Sequence, residues 1–170
     1  QTCGNDYIFL ENFQGEITCP ESLCVTFCDR HYGIGADGIV LMENSDIADA
    51  KIRLFNADGS EGATAGNALR CMGKYLYDSG IAAKEDLRIE TGIGVREVHV
   101  YTTDGKVTSA CVDMGYATLY TTALHLNIQK RHVVDYPVEI GGETWNITCV
   151  DMGNPHCVVF CPRVDGVDVA

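Results

Sequence analysis

Asn56-Ala57-Asp58-Gly59-Ser60-Glu61-Gly62-Ala63-Thr64-Ala65-Gly66, running into Asn67-Ala68-Leu69-Arg70-Cys71-Met72-Gly73-Lys74-Tyr75-Leu76-Tyr77-Asp78-Ser79, is the stretch that decides the fold. Its first part is dense in Gly, Asp and Ser, which is loop composition. Its second part sets Leu69, Met72, Leu76 and Tyr77 on one face at helical spacing, with Tyr75 beside them. The spacing predicts a helix over 67–79, and Gly80 suits its end. Met72 and the tyrosines read there as core rather than as a ligand box.

Around this helix the chain reads mostly as strands. Upstream, 7–12 (YIFLEN) and 39–42 (IVLM) are apolar runs, and 50–55 (AKIRLF) alternates. A short helix is expected over 20–29, with Glu21 and Ser22 near its start, followed by a glycine-rich loop over 30–38. Downstream, strand-like runs cover 87–91, 95–102, 107–114, 133–140, 144–151 and 155–161. Asp104-Gly105 and Gly141-Gly142 are hairpin signals. The expectation is a mainly β chain with one central helix and a shorter one. One pentapeptide recurs, Cys111-Val112-Asp113-Met114-Gly115 and Cys149-Val150-Asp151-Met152-Gly153. A single echo suggests two similar strand ends in a duplicated architecture and is not a repeat array.

The chain's 170 residues are enough to bury a real core. A net charge of −12 and a pI near 4.6 argue against nucleic acid and anionic membranes as partners. No run of 18 apolar residues is present, so no transmembrane helix is expected. Nine cysteines, an odd number, fit a disulfide scaffold poorly. Cys24/Cys28 and Cys157/Cys161 share a C-x3-C spacing inside apolar runs and read as core thiols, with zinc as the alternative. Together these features suggest a reducing, cytoplasmic setting. The chain opens at Gln1 inside what reads as a motif and ends at Val169-Ala170, so a fragment is expected.

Four segments combine glycine and asparagine: Cys3-Gly4-Asn5-Asp6, Asn56 to Glu61, Gly66-Asn67, and Met152-Gly153-Asn154-Pro155-His156. Asparagine both donates and accepts hydrogen bonds, which suits a zwitterionic amino acid, and glycine lets backbone approach closely. Each segment alone is equally a plain turn. Gly66-Asn67 sits where a loop enters the best helix, and N–H groups there favour anions. A cysteine at position 65 would have a lowered thiol pKa, but this chain has Ala65.

Taken in order, these motifs resemble the diaminopimelate epimerase family. Gly4-Asn5-Asp6-Tyr7 is similar to its G-N-D-[FY] opening, and Asp29 to Asp37 to its D-R-H-x-G-[IV]-G-x-D segment. Phe55 to Glu61 resembles [FY]-N-A-D-G-S-E, Gly66 to Cys71 resembles C-G-N-[GA]-x-R-C without its first residue, and Met152 to His156 resembles M-G-N-P-H. The resemblance implies an α+β fold in which a curved, barrel-like antiparallel sheet wraps a central helix. It implies one complete domain over 1–117 and the start of a pseudo-symmetric second over 118–170. It further implies epimerisation at an amino-acid α-carbon by two cysteines, one as thiolate base and one as thiol acid, without metal or cofactor. Carried over by position, Asn5, Asn56 and Asn154 would contact a small amino-acid substrate. Gly66 and Asn67 would offer backbone donors, and His156 would line or support the site.

Two departures bear on that expectation. The family's catalytic cysteine falls on Ala65, and a methyl group exchanges no proton. Cys71 is no substitute, since six residues are about 9 Å along a helix. The E-R-G-x5-C-G-[TS]-G segment, which carries the second cysteine, does not occur in these residues. Gly38, where many members have Gln, and Thr2 are smaller departures. The chain is therefore expected to be inactive as it stands. The alternatives are a related racemase or isomerase on the same fold and a non-catalytic amino-acid-binding module. The inner face meant for a second domain would favour a homodimer or other self-association.

Overall fold

A strand made only of Ile, Val, Leu and Met has no side to offer water, so it needs cover on both faces. That requirement organises the molecule. The structure is a computed structural model that describes residues 1, 4–122, 124, 126, 128 and 130–167. Thr2 and Cys3 of the opening motif and Val169-Ala170 at the end lie outside the described residues. The chain divides into two compact units, Gln1–Met114 and Gly115–Ala170.

The first unit contains, in order, β1 (Tyr7–Glu11), α1 (Pro20–Cys28), β2 (Gly38–Glu43), β3 (Ala50–Asn56), β4 (Glu61–Gly62), α2 (Gly66–Asp78), β5 (Asp86–Thr91), β6 (Gly94–Thr103) and β7 (Lys106–Val112). Its sheet runs β1-β2-β3-β5-β6-β7, with β4 added to β3. The fold is α+β, and most neighbouring strands are antiparallel, as expected. The β1/β2 and β3/β5 pairs are parallel, however. Parallel neighbours need a crossover, and α1 and α2 supply one each.

The two helices cover opposite faces of β2. Val40 and Met42 pack with Ile52 and Leu54 of β3 against Ala68, Leu69, Met72 and Leu76 of α2. The same cluster takes in Leu87, Ile89, Val98, Val100 and Val107, so the sheet curves around α2 from β2 to β7. Ile39, Leu41 and Phe55 face the other way, against Cys24 and Cys28 of α1. The contact of α2 with the sheet is close, because a Cβ on Gly73 would lie 2.8 Å from Val98 Cγ1. Tyr75 and Tyr77 are half-buried at the rim, where the Tyr75 hydroxyl meets the Glu11 carboxylate.

Both hairpin signals form turns. Asp104 and Gly105 have φ of 52° and 73°, and Gly141 and Gly142 have φ of 62° and 84°, the left-handed pair that tight hairpins demand. The second unit holds β8 (Tyr136–Ile140), β9 (Glu143–Asp151) and β10 (Pro155–Val159) as an antiparallel sheet, then a 3-10 turn over Val164–Gly166. Leu124, Val133, Ile147 and Cys149 form its core. The pentapeptide echo marks two strand ends, after β7 and after β9, each closed by a glycine at positive φ, Gly115 (77°) and Gly153 (96°).

One expectation about the cysteines fails. Cys24 and Cys28 are core thiols, but Cys157 is exposed and Cys161 half-buried. The reason is position: β10 lies at the edge of its sheet, and all five of its residues are exposed. No group of three or more potential metal ligands exists among the described residues. No helix among them is long and apolar enough to cross a membrane.

Candidate functional site

Strand register brings two of the singled-out residues of the first unit, Asn5 and Asn56, to one end of its sheet. Tyr7 pairs with Gly38, and Gly38 pairs with Asn56. The first residues of β1 and β2 and the last residue of β3 therefore lie side by side, about 5 Å apart per strand. Asn5 precedes Tyr7 by two residues. β4 doubles back so that Gly62 faces Leu54, and a three-residue link leads on to Gly66.

Each of these segments is fixed. The Arg30 guanidinium donates to Asp6 Oδ1 (2.7 Å) and to Asp37 Oδ1 (2.9 Å). Asp6 N–H donates to Asp37 Oδ2, and Asp37 N–H donates to the Asp6 carbonyl, both at 2.9 Å. The loop after α1 is thereby tied to the starts of β1 and β2. The hydrogen bond from Arg30 holds the Asp6 carboxyl below the usual carboxylate range. Asn5 Nδ2 donates to the Tyr7 hydroxyl at 3.2 Å, and burial pushes that phenol up. Asn56 donates through its N–H to the Ser60 carbonyl (2.8 Å) and through Nδ2 to Ser60 Oγ (3.0 Å). Its own carbonyl accepts the Cys24 thiol at 2.9 Å. Cys24 Sγ lies 3.5 Å from Cys28 Sγ, and burial first, then this neighbour, pushes Cys28 up to about 12.

Ala65 is the N-cap of α2, in extended backbone, with no side-chain cap. Its carbonyl accepts Leu69 N–H at 3.0 Å, and Asn67 Oδ1 accepts Ala68 N–H at 2.9 Å. Gly66 and Asn67 head the helix, where N–H groups have no intrahelical acceptor and the helix presents its positive end. The first turn holds no acidic residue to compete with an anion. Gly66 leaves space that Met114 uses: a Cβ there would be 3.1 Å from Met114 Sδ. Thr64, just before Ala65, is buried, and its hydroxyl has no hydrogen-bond partner among the described residues.

Asn154 and His156 belong to the second unit, at the turn from β9 to β10. Gly153 N–H donates to Asp151 Oδ1 (2.6 Å), and Met152 N–H to the Asn154 carbonyl (3.1 Å). His156 Nδ1 donates to that same carbonyl at 2.9 Å. Both side chains are exposed. Sequence reasoning missed Arg30, Cys24 and Tyr7 as the groups that hold the site. Arg30 reaches Asp6 across 24 residues and Cys24 reaches Asn56 across 32, whereas Tyr7 meets Asn5 from two residues away inside the quoted opening motif.

The diaminopimelate epimerase family model matches residues 1–120. A diaminopimelate epimerase of Desulfovibrio desulfuricans is 42% identical over 175 residues, covering 99% of this chain and 61% of that protein. One of Acetivibrio thermocellus is 43% identical over 162 residues, covering 95% of this chain and 58% of that protein. This chain thus spans about three-fifths of the length of these relatives. Among solved structures, a probable proline racemase of Agrobacterium radiobacter superposes with a TM-score of 0.64 at 18% identity, over 82% of this chain and 39% of that one. A hydroxyproline epimerase of Agrobacterium vitis gives 0.63 at 17%, over 84% and 40%. At such identities these two speak for the fold alone. With the ordered motifs, the helix-wrapped sheet and a family match over most of its length, the chain belongs to the diaminopimelate epimerase family.

Proposed function

We propose that this chain carries the amino-acid-binding part of a cofactor-independent epimerase whose substrate is diaminopimelate. In this reading Asn5 and Asn56 contact the substrate. The Gly66 and Asn67 N–H groups hold the α-carboxylate, where the field of α2 stabilises negative charge building up on the carbanion side of the reaction. Position 65 is the seat of one acid–base group. The observation that carries the reading is the open N-terminus of α2, with no side-chain cap and no acidic residue in its first turn, in a chain whose register sets the start of β1, just after Asn5, beside Asn56 at one end of the sheet.

Proton exchange at an α-carbon needs a group that can take and return a proton. The Ala65 methyl cannot. We therefore expect binding without turnover. Calorimetry with LL- and meso-diaminopimelate should show millimolar or tighter binding. In deuterium oxide, NMR should show no loss of the α-proton signal. Heat that never saturates at millimolar ligand would overturn the substrate assignment, and α-deuterium wash-in would overturn the assignment of position 65. Ala65→Cys supplies a thiol at the positive end of α2, and its pKa should fall below the ordinary value of about 8.5. Ala65 itself favours a second reading, a binding module that uses the same contacts to retain an amino acid without chemistry. Binding with no exchange, in a full-length protein that also has alanine at this position, would select it.

A further inference from the structure

Thr64 Oγ1 and Arg96 Nε are the two buried side-chain polar atoms that lack a hydrogen-bond partner among the described residues. Both belong to the corner of the first unit where α2 begins. Thr64, 7% exposed, stands two residues before Gly66. Its neighbour Ala63 abuts the turn from β5 to β6, since a Cβ on Gly92 would lie 3.1 Å from the Ala63 carbonyl oxygen. Arg96 lies just past that turn, and register fixes its face. It pairs with Ile89 and stands two residues from Val98, and both of these are buried with α2 in one core. Asp113 N–H donates to the Glu97 carbonyl at 2.9 Å, so the pairing of Val98 with Val112 carries on and sets Arg96 beside Met114. Met114 is the residue whose Sδ would lie 3.1 Å from a Cβ on Gly66. Arg96 therefore stands on the α2 side of the sheet, one strand away from the residue that touches the head of α2.

That is an unfavourable place for a lone cation. Charged groups taken out of water are normally paired, and the N-terminus of a helix repels positive charge. Arg96 is half-buried, yet it forms no salt bridge among the described residues, and its hydrogen bond from Nη1 to the Val95 carbonyl is long at 3.4 Å. Arg70 adds a second unpaired guanidinium: its Nη1 lies 3.8 Å from the position a Cβ on Gly66 would take. The pole of α2 itself has no side-chain cap and no acidic residue in its first turn. We propose that Arg96 is a specificity-determining residue of the anion site at the head of α2. Its guanidinium takes the charge of a carboxylate whose oxygens the Gly66 and Asn67 N–H groups hold, with the Thr64 hydroxyl as a further donor. The proposal deepens the function proposed above and rests on it for the identity of the carboxylate. N–H groups at a helix end serve any anion, whereas a guanidinium offers parallel donors that match the planar carboxylate.

Inorganic sulfate probes the site without assuming the substrate. Added at low millimolar concentration to the 170-residue chain, it should raise the melting temperature saturably, beyond sodium chloride at the same ionic strength. Arg96→Met, which keeps an apolar stem on the inner face, should abolish that rise. In calorimetry with meso-diaminopimelate, Arg96→Met should bind at least ten-fold more weakly than the unsubstituted chain. Arg96→Lys, which keeps the charge but not the fork, should recover part of the loss. Diaminopimelate binding equally tight in Arg96→Met would overturn this proposal and leave the function above standing. A sulfate effect that needs Arg96, in a chain that does not bind diaminopimelate, would overturn that function and support the anion site. A sulfate effect no larger than that of chloride, or one untouched by Arg96→Met, would overturn the proposal. Should Arg96→Met fail to fold, Arg96→Lys decides alone, and affinity equal to that of the unsubstituted chain would overturn it.

Discussion

β2 and β10 are short apolar strands that read alike in the sequence, Gly-Ile-Val-Leu-Met-Glu and Pro-His-Cys-Val-Val, yet they end in opposite environments. β2 is buried at every position but its last, between α1 on one face and α2 on the other. β10 is exposed throughout, at the edge of a three-stranded sheet. Apolar content marks a strand's capacity to be buried, and the layers around it decide whether that capacity is used. The largest test of this contrast pairs two phenylalanines. Phe55, on the α1 side next to β2, is fully buried, whereas Phe160, just past β10, is 89% exposed. Phe55→Ala should cost about 3–5 kcal/mol, and Phe160→Ala no more than about 0.5 kcal/mol. Hydrogen exchange of β2 and β9 amides, read separately by mass spectrometry, measures each in its own unit. Equal losses would break the comparison.

A smaller effect sharpens what it means for β2 to be covered by α2. Alanine is favoured over glycine inside a helix by about 1 kcal/mol, so Gly→Ala in α2 would ordinarily stabilise. At Gly73 the new methyl would stand 2.8 Å from Val98 Cγ1 and 3.3 Å from Val100 Cγ1. Overpacking of this kind costs about 1–3 kcal/mol, so Gly73→Ala should lower the melting temperature. The double variant with Val98→Ala should recover part of the loss. A rise in melting temperature for Gly73→Ala alone would mean that α2 rides on the sheet more loosely than the geometry shows.

The sequence made the central helix and the hairpin turns legible because each is written locally. Leu69, Met72 and Leu76 recur at helical spacing, and Asp104-Gly105 and Gly141-Gly142 supply the positive φ their turns require. Strand pairing is not local, which is why the parallel β1/β2 and β3/β5 pairs went unforeseen. The site divides the same way. Ala65, Gly66 and Asn67 could be placed from the sequence, since a loop entering a helix has one geometry. The tie from Arg30 to Asp6 spans 24 residues, and the bond from Cys24 to the Asn56 carbonyl spans 32. Neither left a pattern to read. Cys157 was misread because the same apolar run serves equally for a central strand and an edge one.

The smallest effect tests the polar rim that lets β3 and β4 carry the chain from β2 toward the site. Arg53 Nε and Nη2 donate to the two Glu61 carboxylate oxygens at 2.7 and 2.8 Å. These bonds hold Glu61 below the usual carboxylate range and Arg53 above the usual guanidinium value. A carboxyl depressed in the folded state contributes stability above its unfolded pKa and loses it as pH falls through the folded value. The contribution is therefore present at neutral pH and disappears on acidification below about pH 4. Because the pair is partly exposed, its size should stay within about 1 kcal/mol and shrink in high salt. Glu61→Gln should lower the urea midpoint at pH 7 slightly and leave it unchanged at pH 3. A loss of equal size at both pH values would mean that packing along β4, rather than the ion pair, is what the substitution disturbs.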